Sequence, residues 1–460
     1  MNIKVETGRK FVHYLLLVFP AVCLAFFTIH TGRNAFSLIY MPTALLLIFF
    51  VVYLSPKVRV RFSGLVIFIT ALALRLICLK CWTITPLSDY LHGLDFSMKL
   101  ANAKISEWSS VFSQNDYYYN VWSMHIPHKL YQTAALLIFG KSIYSIQLLN
   151  TIFSALSCVL AYLLARHLFN RKAGLIAGFL MAFNPTSLLF SALLTNQHPA
   201  TAFCLLALLL YLARPFKGSI FISAFSLFVS QLLRPEMYVV LIALVCYEIY
   251  IGIMEGFEYK KFVSLLLCCT VFFLLLNFTD ISLKNAGWSN KSMLDSNLKY
   301  KLAVGQNQDA EGRFSEEDYP LAGDEEAIER LVSRRLSPPK ETLILMYKKL
   351  LFQFSSYNYW WIKADKGGNL RQYVTDNAFD PILQTYMLLI LFFAFLNTIF
   401  KRNDKEAMLL YIIFIGFLMT FAIIEVQERY SYLMIFLFTI LGSNFISSIV
   451  HRGEESEKNT

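Results

Sequence analysis

The sequence predicts an all-α protein that crosses a membrane many times, and three observations support this fold class. Apolar residues make up 57% of the 460-residue chain, whereas charged residues make up only 16%, against roughly 25% in an ordinary soluble domain. The apolar residues form runs close to the ~20 residues that a helix needs to cross a bilayer. Short clusters of Lys and Arg separate these runs. The composition excludes a cytoplasmic enzyme, a secreted disulfide scaffold and a disordered chain.

Twelve apolar runs follow one another along the chain, and each is predicted to be a transmembrane helix. The first is too long for a signal-peptide core and no small-x-small cleavage site follows it, so we expect it to be retained. The twelve runs are 11–30, 35–54, 62–80, 145–165, 173–194, 199–213, 218–233, 236–254, 262–277, 382–400, 407–424 and 430–450.

The positive charge indicates how these helices are oriented. Lys and Arg recur in every second loop, while the short loops between them hold single arginines. Because cytoplasmic loops carry the excess of Lys and Arg, both termini are predicted to be cytoplasmic. The net charge of +10 therefore encodes topology, and a nucleic-acid partner is not expected. The basic segments are 1–10, 55–61, 166–172, 214–217, 255–261, 401–406 and the tail 451–460.

This topology divides the chain into helical blocks and two outward loops. Three helices in 1–80 precede a first extracytoplasmic loop, 81–144, and six helices in 145–277 precede a large extracytoplasmic loop domain, 278–381. Three more helices in 382–450 lead to the tail. The run 130–140 is too short to cross and is predicted to lie on the membrane surface; the alternative, that it is part of a span, would invert every later loop.

The large loop domain carries its own helix signals. The stretch 323–335 is predicted to be a helix that ends before Pro338 and Pro339. A second helix, 341–354, is predicted to return to the bilayer. The aromatic cluster that follows is typical of interfacial anchors; its members are Tyr357, Tyr359, Trp360 and Trp361.

Polar residues collect at the outward ends of the predicted spans. The eight cysteines lie in or beside apolar runs, so a disulfide framework is not expected. Carboxylates in mid-span are rare, which disfavours a proton-coupled transporter. The outward polar residues are Asp89 after the third span, Asn196, Gln197 and His198 after the fifth, Arg234 after the seventh, and Arg429 with Tyr430 before the twelfth.

Several stretches carry a family resemblance. The stretch 86–101 (PLSDYLHGLDFSMKLA) resembles the first extracytoplasmic loop of the GT-C glycosyltransferases. The run 139–184 resembles the following helix pair of glycosyltransferase family 39, which includes protein O-mannosyltransferases and lipid A aminoarabinose transferases. The stretches 195–211, 231–235 (QLLRP) and 427–431 (QERYS) fit the same pattern, and 300–318 resembles a loop of Gram-positive bacterial members. The resemblance covers most of 62–450.

The resemblance implies an inverting glycosyltransferase of the plasma membrane. It would move a sugar from a polyprenyl phosphate to an extracytoplasmic acceptor, either a cell-wall or surface polysaccharide, a teichoic acid or a protein. Asp89 matches the family's catalytic carboxylate and would be the general base. Arg429, Tyr430 and Arg234 would bind the donor lipid phosphate. From the residues alone, the alternative is that Ser88 or Asp89 is the capping start signal of a helix.

Further substrate-binding candidates are weaker. Relatives often carry an acidic residue near Gln197, which cannot ionise. A divalent metal, Mg²⁺ or Mn²⁺, is left open, but no metal ligands are predicted, because His125, His128 and His198 have no companion carboxylate. The predicted substrate-binding residues are Asn196, Gln197, His198, Asp116 in a Tyr-rich run, and Gln306 with Asn307, for which a simple turn is the alternative.

Two other functions stay open at this stage. A lipid-linked sugar flippase or transporter predicts a polar path at mid-membrane and often an internal repeat, and the sequence displays neither. A polysaccharide polymerase or ligase would need an arginine-rich outer loop. The loop domain does hold arginines, at 313, 330, 334, 335 and 371. No glycine-rich phosphate loop is present, which disfavours a nucleotide-sugar donor.

Overall fold

The fold is known from a computed structural model that describes residues 2–33, 40–54, 60–114, 116–295, 297–335, 339–355, 378–402, 404–405 and 407–458. Every regular element in these ranges is a helix. The first half of the chain forms α1 Asn2–Arg33, α2 Met41–Leu54, α3 Ser63–Cys81, α4 Asp89–Asn102, α5 Trp108–Ser113, α6 Asp116–Val121, α7 Ile126–Phe139, α8 Ile143–Leu168, α9 Arg171–Ala182, α10 Pro185–Phe190 and α11 Gln197–Ala213.

The second half continues the same pattern. It forms α12 Ser219–Leu233, α13 Tyr238–Glu255, α14 Tyr259–Asn285, α15 Leu298–Gly305, α16 Glu325–Arg335, α17 Pro339–Ser355, α18 Phe379–Phe400, α19 Met408–Ile423 and α20 Tyr432–Lys458. Short 3₁₀ turns lie between several of these helices, at Val60–Phe62, Ile105–Glu107, Ser123–His125, Pro235–Met237, Tyr319–Gly323 and Glu428–Ser431.

Seven of the described helices are long and apolar enough to cross a membrane by length and composition, and four shorter ones are also apolar. The seven are Glu6–Gly32, Ser63–Cys81, Ile143–Leu168, Pro235–Glu255, Tyr259–Asn285, Asp380–Phe400 and Glu428–Ile449. The described part of the chain is therefore all-helical, and its apolar helices are those of a polytopic membrane protein. Large apolar side chains on α1, α3 and α14 are exposed, as expected where lipid replaces water.

One predicted span is not a single helix. The run 173–194 divides into α9 and α10 at Asn184–Pro185. Pro185 has no backbone N–H to continue α9, and the Asn184 side chain accepts from the Ser187 N–H at 2.8 Å, which caps α10. The prediction of one continuous helix over 173–194 is wrong for this reason.

A buried arginine stabilises that break. The Arg75 guanidinium on α3 is fully buried and donates to the carbonyls of Met181 and Ala182, each at 3.3 Å, at the end of α9. It also donates to the hydroxyls of Ser154 at 2.7 Å and Ser187 at 2.8 Å. The carbonyls that the end of a helix leaves without intrahelical partners are thereby satisfied. Arg75 is not among the residues predicted from the sequence.

The C-terminal helix is the centre of the bundle. In its apolar window, 89% of the residues are buried inside the protein, against 17% for α3. Helix α20 packs on α18, α8 and α9, and α13 packs on α19. The core is therefore built around the last spans, which fixes the segment 424–431 that joins α19 to α20.

The two long loops lie at one end of the bundle, here called the loop end. The predicted helix 323–335 corresponds to α16, and 341–354 falls within α17, which begins at Pro339. The run 130–140 is the second part of α7. Helix α14 extends to Asn285, beyond the predicted end of its span at 277. The proposed aromatic anchors at 357–361 lie outside the described residues.

Helix α15 is attached directly to the end of α19. The Glu425 N–H donates to the Lys301 carbonyl at 2.9 Å. A Cβ on Gly305 would lie 2.5 Å from the carbonyl oxygen of Ile423, so only glycine permits this approach. The large loop is thereby held against the segment that precedes α20.

Candidate active site

A cavity of about 310 Å³ opens at the loop end. Its walls come from α4, α6 and α7 of the first loop, from the α12–α13 junction, from α15, and from the segment that joins α19 to α20. Of the predicted site residues, five line it: Asp89, Asn196, Arg234, Arg429 and Tyr430. The structure therefore brings together groups from four separate parts of the sequence.

Asp89 and Arg429 form an ion pair at the cavity wall. A guanidinium nitrogen of Arg429 lies 3.4 Å from an Asp89 carboxylate oxygen, and the Asp89 side chain is 46% exposed. Burial alone would raise the pKa of Asp89, but the positive charges of Arg429 and Lys129 outweigh this effect and hold the pKa below its usual value. Asp89 is therefore a carboxylate at neutral pH.

The alternative interpretation of Asp89 as a helix start signal is met only in part, because Asp89 does begin a helix but the N-cap position is Ser88. Asp89 is the first residue of α4, where a carboxylate favours the helix dipole. The preceding Ser88 makes no capping hydrogen bond and has a φ of 49°, a conformation that is strained for any residue except glycine. Ser88 leads directly into α4, whose first side chain, Asp89, contacts Arg429.

Arg429 is held from several sides. Its Nε donates to the Gln427 side-chain oxygen at 2.7 Å, and another nitrogen donates to the Tyr90 hydroxyl at 3.3 Å. The Gln197 amide donates to the backbone carbonyl of Arg429 at 3.1 Å. Gln353 on α17 donates to the Gln427 carbonyl at 2.7 Å. These contacts fix the guanidinium before any ligand binds.

Arg234 lies on the neighbouring wall. It is paired with the Glu236 carboxylate, to which its Nε donates at 2.6 Å. It also donates to the Asn196 side-chain oxygen at 3.4 Å. Asn196 in turn donates to the Leu233 carbonyl at 2.7 Å, so the predicted neighbours Asn196 and Arg234 do lie together.

Lys301 supplies a third cation from the large loop. Its Nζ lies 3.5 Å from a Glu425 carboxylate oxygen and 3.4 Å from the Tyr430 hydroxyl. The Tyr430 ring is shared: the charged groups of Arg234, Lys301 and Arg429 lie 4.9, 5.4 and 5.8 Å from its centroid. Such cation–π contacts hold three like charges around one ring.

Lys129 is a fourth cation, which sequence analysis missed. It is buried on α7 and lines the cavity. A Cβ on Gly93, one turn after Asp89, would overlap the Lys129 ammonium, so glycine makes room for the charge. Burial lowers the pKa of Lys129 to about 8, although Asp89 opposes this effect.

One sequence signal could have revealed Lys129. Helix α7 buries its polar residues, among them His128, Lys129 and Gln132, while Leu137 and Ile138 are exposed. This is the reverse of a soluble amphipathic helix. An apolar helix with a polar stripe at helical spacing therefore indicates an inward-facing site.

Two histidines in the cavity wall are uncharged. Burial and the nearby Lys129 lower the pKa of His125 to about 3, and the same causes lower the pKa of His128 well below its usual value. The Tyr118 hydroxyl lies 3.2 Å from His125 Nδ1. Neutral imidazoles can hydrogen-bond a ligand in both directions, as donor and as acceptor.

The described residues do not suit a divalent metal. No three His, Cys, Asp or Glu side chains among them come close enough to hold an ion. The cavity carboxylates of Asp89, Glu236 and Glu425 each have a cation as partner instead. We therefore derive no chemical step through Mg²⁺ or Mn²⁺.

The remaining predicted residues lie elsewhere. Gln197 is buried behind Arg429, and His198 bonds through Nδ1 to the Tyr432 hydroxyl at 2.9 Å. Gln306 donates to the Ile423 carbonyl at 3.2 Å, and Asn307 to Asp318 at 3.0 Å. None of these four lines the cavity, so their predicted direct contact with substrate is not supported by their positions.

Asp116 cannot be placed in the same way. It begins α6, but its side chain lies outside the described part of the chain. For Gln306 and Asn307 the turn interpretation is correct, since the Asn307 side-chain oxygen accepts from the N–H groups of Asp309 and Ala310, each at 3.1 Å.

Comparison with known proteins supports the family resemblance. Residues 127–279 match the family model described as dolichyl-phosphate-mannose-protein mannosyltransferase. This confirms the resemblance to glycosyltransferase family 39 within the GT-C superfamily. Asp89 and Arg429 both lie outside the matched residues. No significant match is found among curated protein sequences.

Solved structures of the oligosaccharyltransferase from Archaeoglobus fulgidus are also similar. The AglB complex with an inhibitory peptide and a dolichol-phosphate is 14% identical, covers 86% of this chain and 52% of its own, and has a TM-score of 0.47. The complex with Zn and sulfate is 15% identical, covers 71% and 41%, and has a TM-score of 0.43. This chain thus spans about half the length of those proteins.

Proposed function

We propose that this protein is an inverting glycosyltransferase that moves a sugar from a polyprenyl phosphate to an acceptor outside the plasma membrane. The observation that carries the proposal is the Asp89–Arg429 pair, a carboxylate and a fixed guanidinium at the wall of one cavity. The match to a family named for a dolichyl-phosphate sugar donor supports the donor class.

The proposal includes a topology of twelve spans with both termini in the cytoplasm. The seven long and four shorter apolar helices support the number of spans, with α9 and α10 together as the broken fifth span. The distribution of Lys and Arg supports the orientation. In this topology the loop end, and therefore the cavity, is extracytoplasmic.

The reaction is a single in-line displacement. An acceptor hydroxyl oxygen attacks the anomeric carbon, a new C–O bond forms, and the bond between that carbon and the phosphate oxygen breaks. The bonding electrons leave with the lipid phosphate. Asp89 accepts the hydroxyl proton, a role that is typically worth 10²–10⁴-fold in rate. One displacement without a covalent intermediate inverts the anomeric centre.

The cations of the cavity have the complementary role. The phosphate gains negative charge as it leaves, and a guanidinium can contact two of its oxygens at once. Arg429 is already oriented by Gln427 and Tyr90, so little reorganisation is needed during the reaction. Lys129, whose ammonium has no carboxylate at salt-bridge distance among the described residues, adds positive potential beside Asp89.

The polymerase or ligase alternative receives less support from the large loop. Three of the four described arginines of this loop are paired within it: Arg335 with Asp318 at 2.8 Å, Arg330 with Glu326 at 3.4 Å, and Arg313 with Glu311 at 3.3 Å. An arginine cluster that holds two pyrophosphates would converge on one cavity. Arg371 lies outside the described residues.

The test is sugar transfer by purified protein in detergent, with radiolabelled polyprenyl-phosphate hexoses and a cell-envelope extract. Asp89→Asn is expected to retain its fold but to lower transfer ~10²-fold or more. Asp95→Asn is the matched control, because Asp95 is an exposed carboxylate on the same helix. Equal transfer by the Asp89 variant and the wild type would refute this active site.

A further inference from the structure

The cavity has a second wall that the proposed chemistry does not use. It is aromatic and joins the two outward loops; we call it the aromatic wall, and its members are Tyr118, Trp122, Tyr300, Phe314 and Tyr319. Trp122 packs edge-on against Tyr300, with ring centroids 5.5 Å apart, and Phe314 lies 6.0 Å from Tyr319. The wall therefore brings together residues that are nearly 200 positions apart in the chain.

Two members of the wall present their rings openly. Phe314 is 50% exposed and Tyr319 is 41% exposed. They lie in the large loop, where no predicted span would cover them with lipid. Aromatic side chains that line a cavity are typical of a ligand contact.

Tyr300 gives an independent indication of a ligand. Its side chain is only 2% exposed, and its hydroxyl has no hydrogen-bond partner among the described residues. The same is true of His128 Nε2 on the neighbouring wall, and both residues line the cavity. Buried polar atoms without a partner are rare because their desolvation is not compensated. A bound molecule with hydroxyl groups would satisfy both.

A sugar ring fits this arrangement. A pyranose has an apolar face of C–H groups, which packs on aromatic rings, and an edge of hydroxyls, which bond to planar amide and carboxylate groups. Asn196, Glu236 and Glu425 supply such groups across the cavity. Because Glu236 and Glu425 are already paired with Arg234 and Lys301, this side is balanced in charge and suits a neutral ring.

A peptide fits it less well. One way to bind an extended peptide is to add it as a strand to the edge of a sheet, and every regular element in the described ranges is a helix. The backbone N–H groups of a helix are satisfied internally. The wall therefore offers side chains and ring faces, and lacks a backbone edge.

We propose that the aromatic wall is a saccharide-binding subsite that takes a neutral hexopyranose unit of the acceptor, so that the acceptor is a glycan. This inference rests on the proposed transferase function, since it assigns the aromatic wall to the acceptor and the Asp89–Arg429 wall to the donor phosphate. The same ring chemistry could come from the donor's own sugar, and the experiment separates the two sources.

The experiment measures binding without turnover. Full-length protein carrying Asp89→Asn is titrated in detergent with neutral oligosaccharides of glucose, mannose and N-acetylglucosamine, with a Ser/Thr-containing peptide, and with a polyprenyl-phosphate hexose. Binding is followed by calorimetry and saturation-transfer NMR. At least one saccharide is expected to bind, and Tyr319→Leu is expected to weaken it up to ~10-fold, the range of a lost aromatic contact. Tyr347→Leu is the matched control, because Tyr347 is 53% exposed on α17 and does not line the cavity.

A second variant separates a loss of binding from a loss of folding. Tyr300→Phe removes only a hydroxyl that has no hydrogen-bond partner in the described part of the chain, so the melting temperature is expected to stay equal or rise. Saccharide affinity is nevertheless expected to fall about 3- to 10-fold, as for a lost hydrogen bond to a ligand.

The inference would be overturned if the peptide binds and no saccharide does, or if Tyr319→Leu and Tyr300→Phe both leave saccharide affinity unchanged. It would also be overturned if the two variants weaken only the binding of a polyprenyl-phosphate hexose. That result would assign the aromatic wall to the donor sugar. Failure of the proposed function is a separate result. In that case Asp89→Asn would still transfer sugar, whatever the saccharide titration gives.

Discussion

The Asp89 carboxylate lies 3.4 Å from the Arg429 guanidinium, although 340 residues separate them in the chain. One belongs to the first helix after the third predicted span, and the other to the turn before the last. The pair places a group that can take a proton beside a group that can hold a phosphate. It also keeps the pKa of Asp89 low, so that the base is ionised before substrate binds.

Arg429→Lys is expected to weaken donor binding even though the charge is kept. Lysine offers one ammonium and cannot contact Asp89, Gln427 and Tyr90 together as the guanidinium does. The loss of a charged hydrogen bond predicts a rise in KM for the polyprenyl-phosphate sugar of ~10-fold or more. Steady-state kinetics with varied donor would measure it. A variant with wild-type KM would show that Arg429 does not touch the donor.

The transfer rate is expected to fall as pH rises through about 8, because Lys129 loses its proton in that range. A pH profile of kcat/KM for wild type and Lys129→Met would detect it: the variant should be slower at neutral pH and lack this alkaline limb. If the limb persists unchanged in the variant, another group produces it.

Deprotonation of Lys129 is expected to lower the transfer rate but to raise the stability of the fold. The folded protein releases the Lys129 proton near pH 8, whereas an unfolded chain holds it to about 10.5. Between these values the unfolded state binds more protons, so the free energy of unfolding increases with pH. Lys129→Met should therefore raise the melting temperature at pH 7 more than at pH 10.

Gly93→Ala is expected to impair transfer without unfolding the protein. The new Cβ would overlap the Lys129 ammonium, which is the mobile end of a long side chain and can move aside. The charge would leave its position beside Asp89, and we expect transfer to drop ~10-fold. Gly64→Ala on α3 is the control, because its Cβ would meet only Val159 at 3.5 Å, an ordinary contact. Equal activity of both variants would argue against a role for the Lys129 position.

Arg75→Met is expected to destabilise the protein strongly. It would leave the end carbonyls of α9 and the hydroxyls of Ser154 and Ser187 without their shared donor. Loss of such a buried network predicts a decrease of ~3 kcal/mol or more in the free energy of unfolding. Arg61→Met, at an exposed position before the same helix, should change it by less than ~0.5 kcal/mol. Thermal unfolding in detergent would measure both, and a small change for Arg75 would contradict the assigned role.

Much of the site was predictable from the sequence, because its charged residues are of types that are unusual at the ends of apolar spans. Asp89, Arg234 and Arg429 were identified in this way, and they do meet in one cavity. Gln197, by contrast, has the same signature but lies behind Arg429 and supports it. Polarity at a span end indicates a site, but it does not distinguish a residue that contacts a ligand from one that holds its neighbour.

Other site residues could not be found along the chain. In the sequence, Lys129 looks like a lysine that anchors a helix at the membrane surface. The packing of α7 on α4 shows instead that the polar face of α7, with Lys129, is buried. Lys301 lies in a loop far from every span, and the backbone contact between Lys301 and Glu425 brings it to Tyr430. The residues that break the helix between α9 and α10, Asn184 and Pro185, are visible in the sequence. A hydropathy profile does not detect them, because it takes no account of a capping side chain.

The sequence by itself determined that this is a helical membrane protein, because hydropathy and charge act locally, residue by residue, on the transfer of each segment into the bilayer. It also determined which polar groups are available at the loop end. Only the tertiary structure decided which of them face one another. Ion pairs such as Asp89 with Arg429, and the aromatic wall shared by Trp122 and Tyr300, depend on contacts between distant segments, and these follow from how the helices pack around the last span.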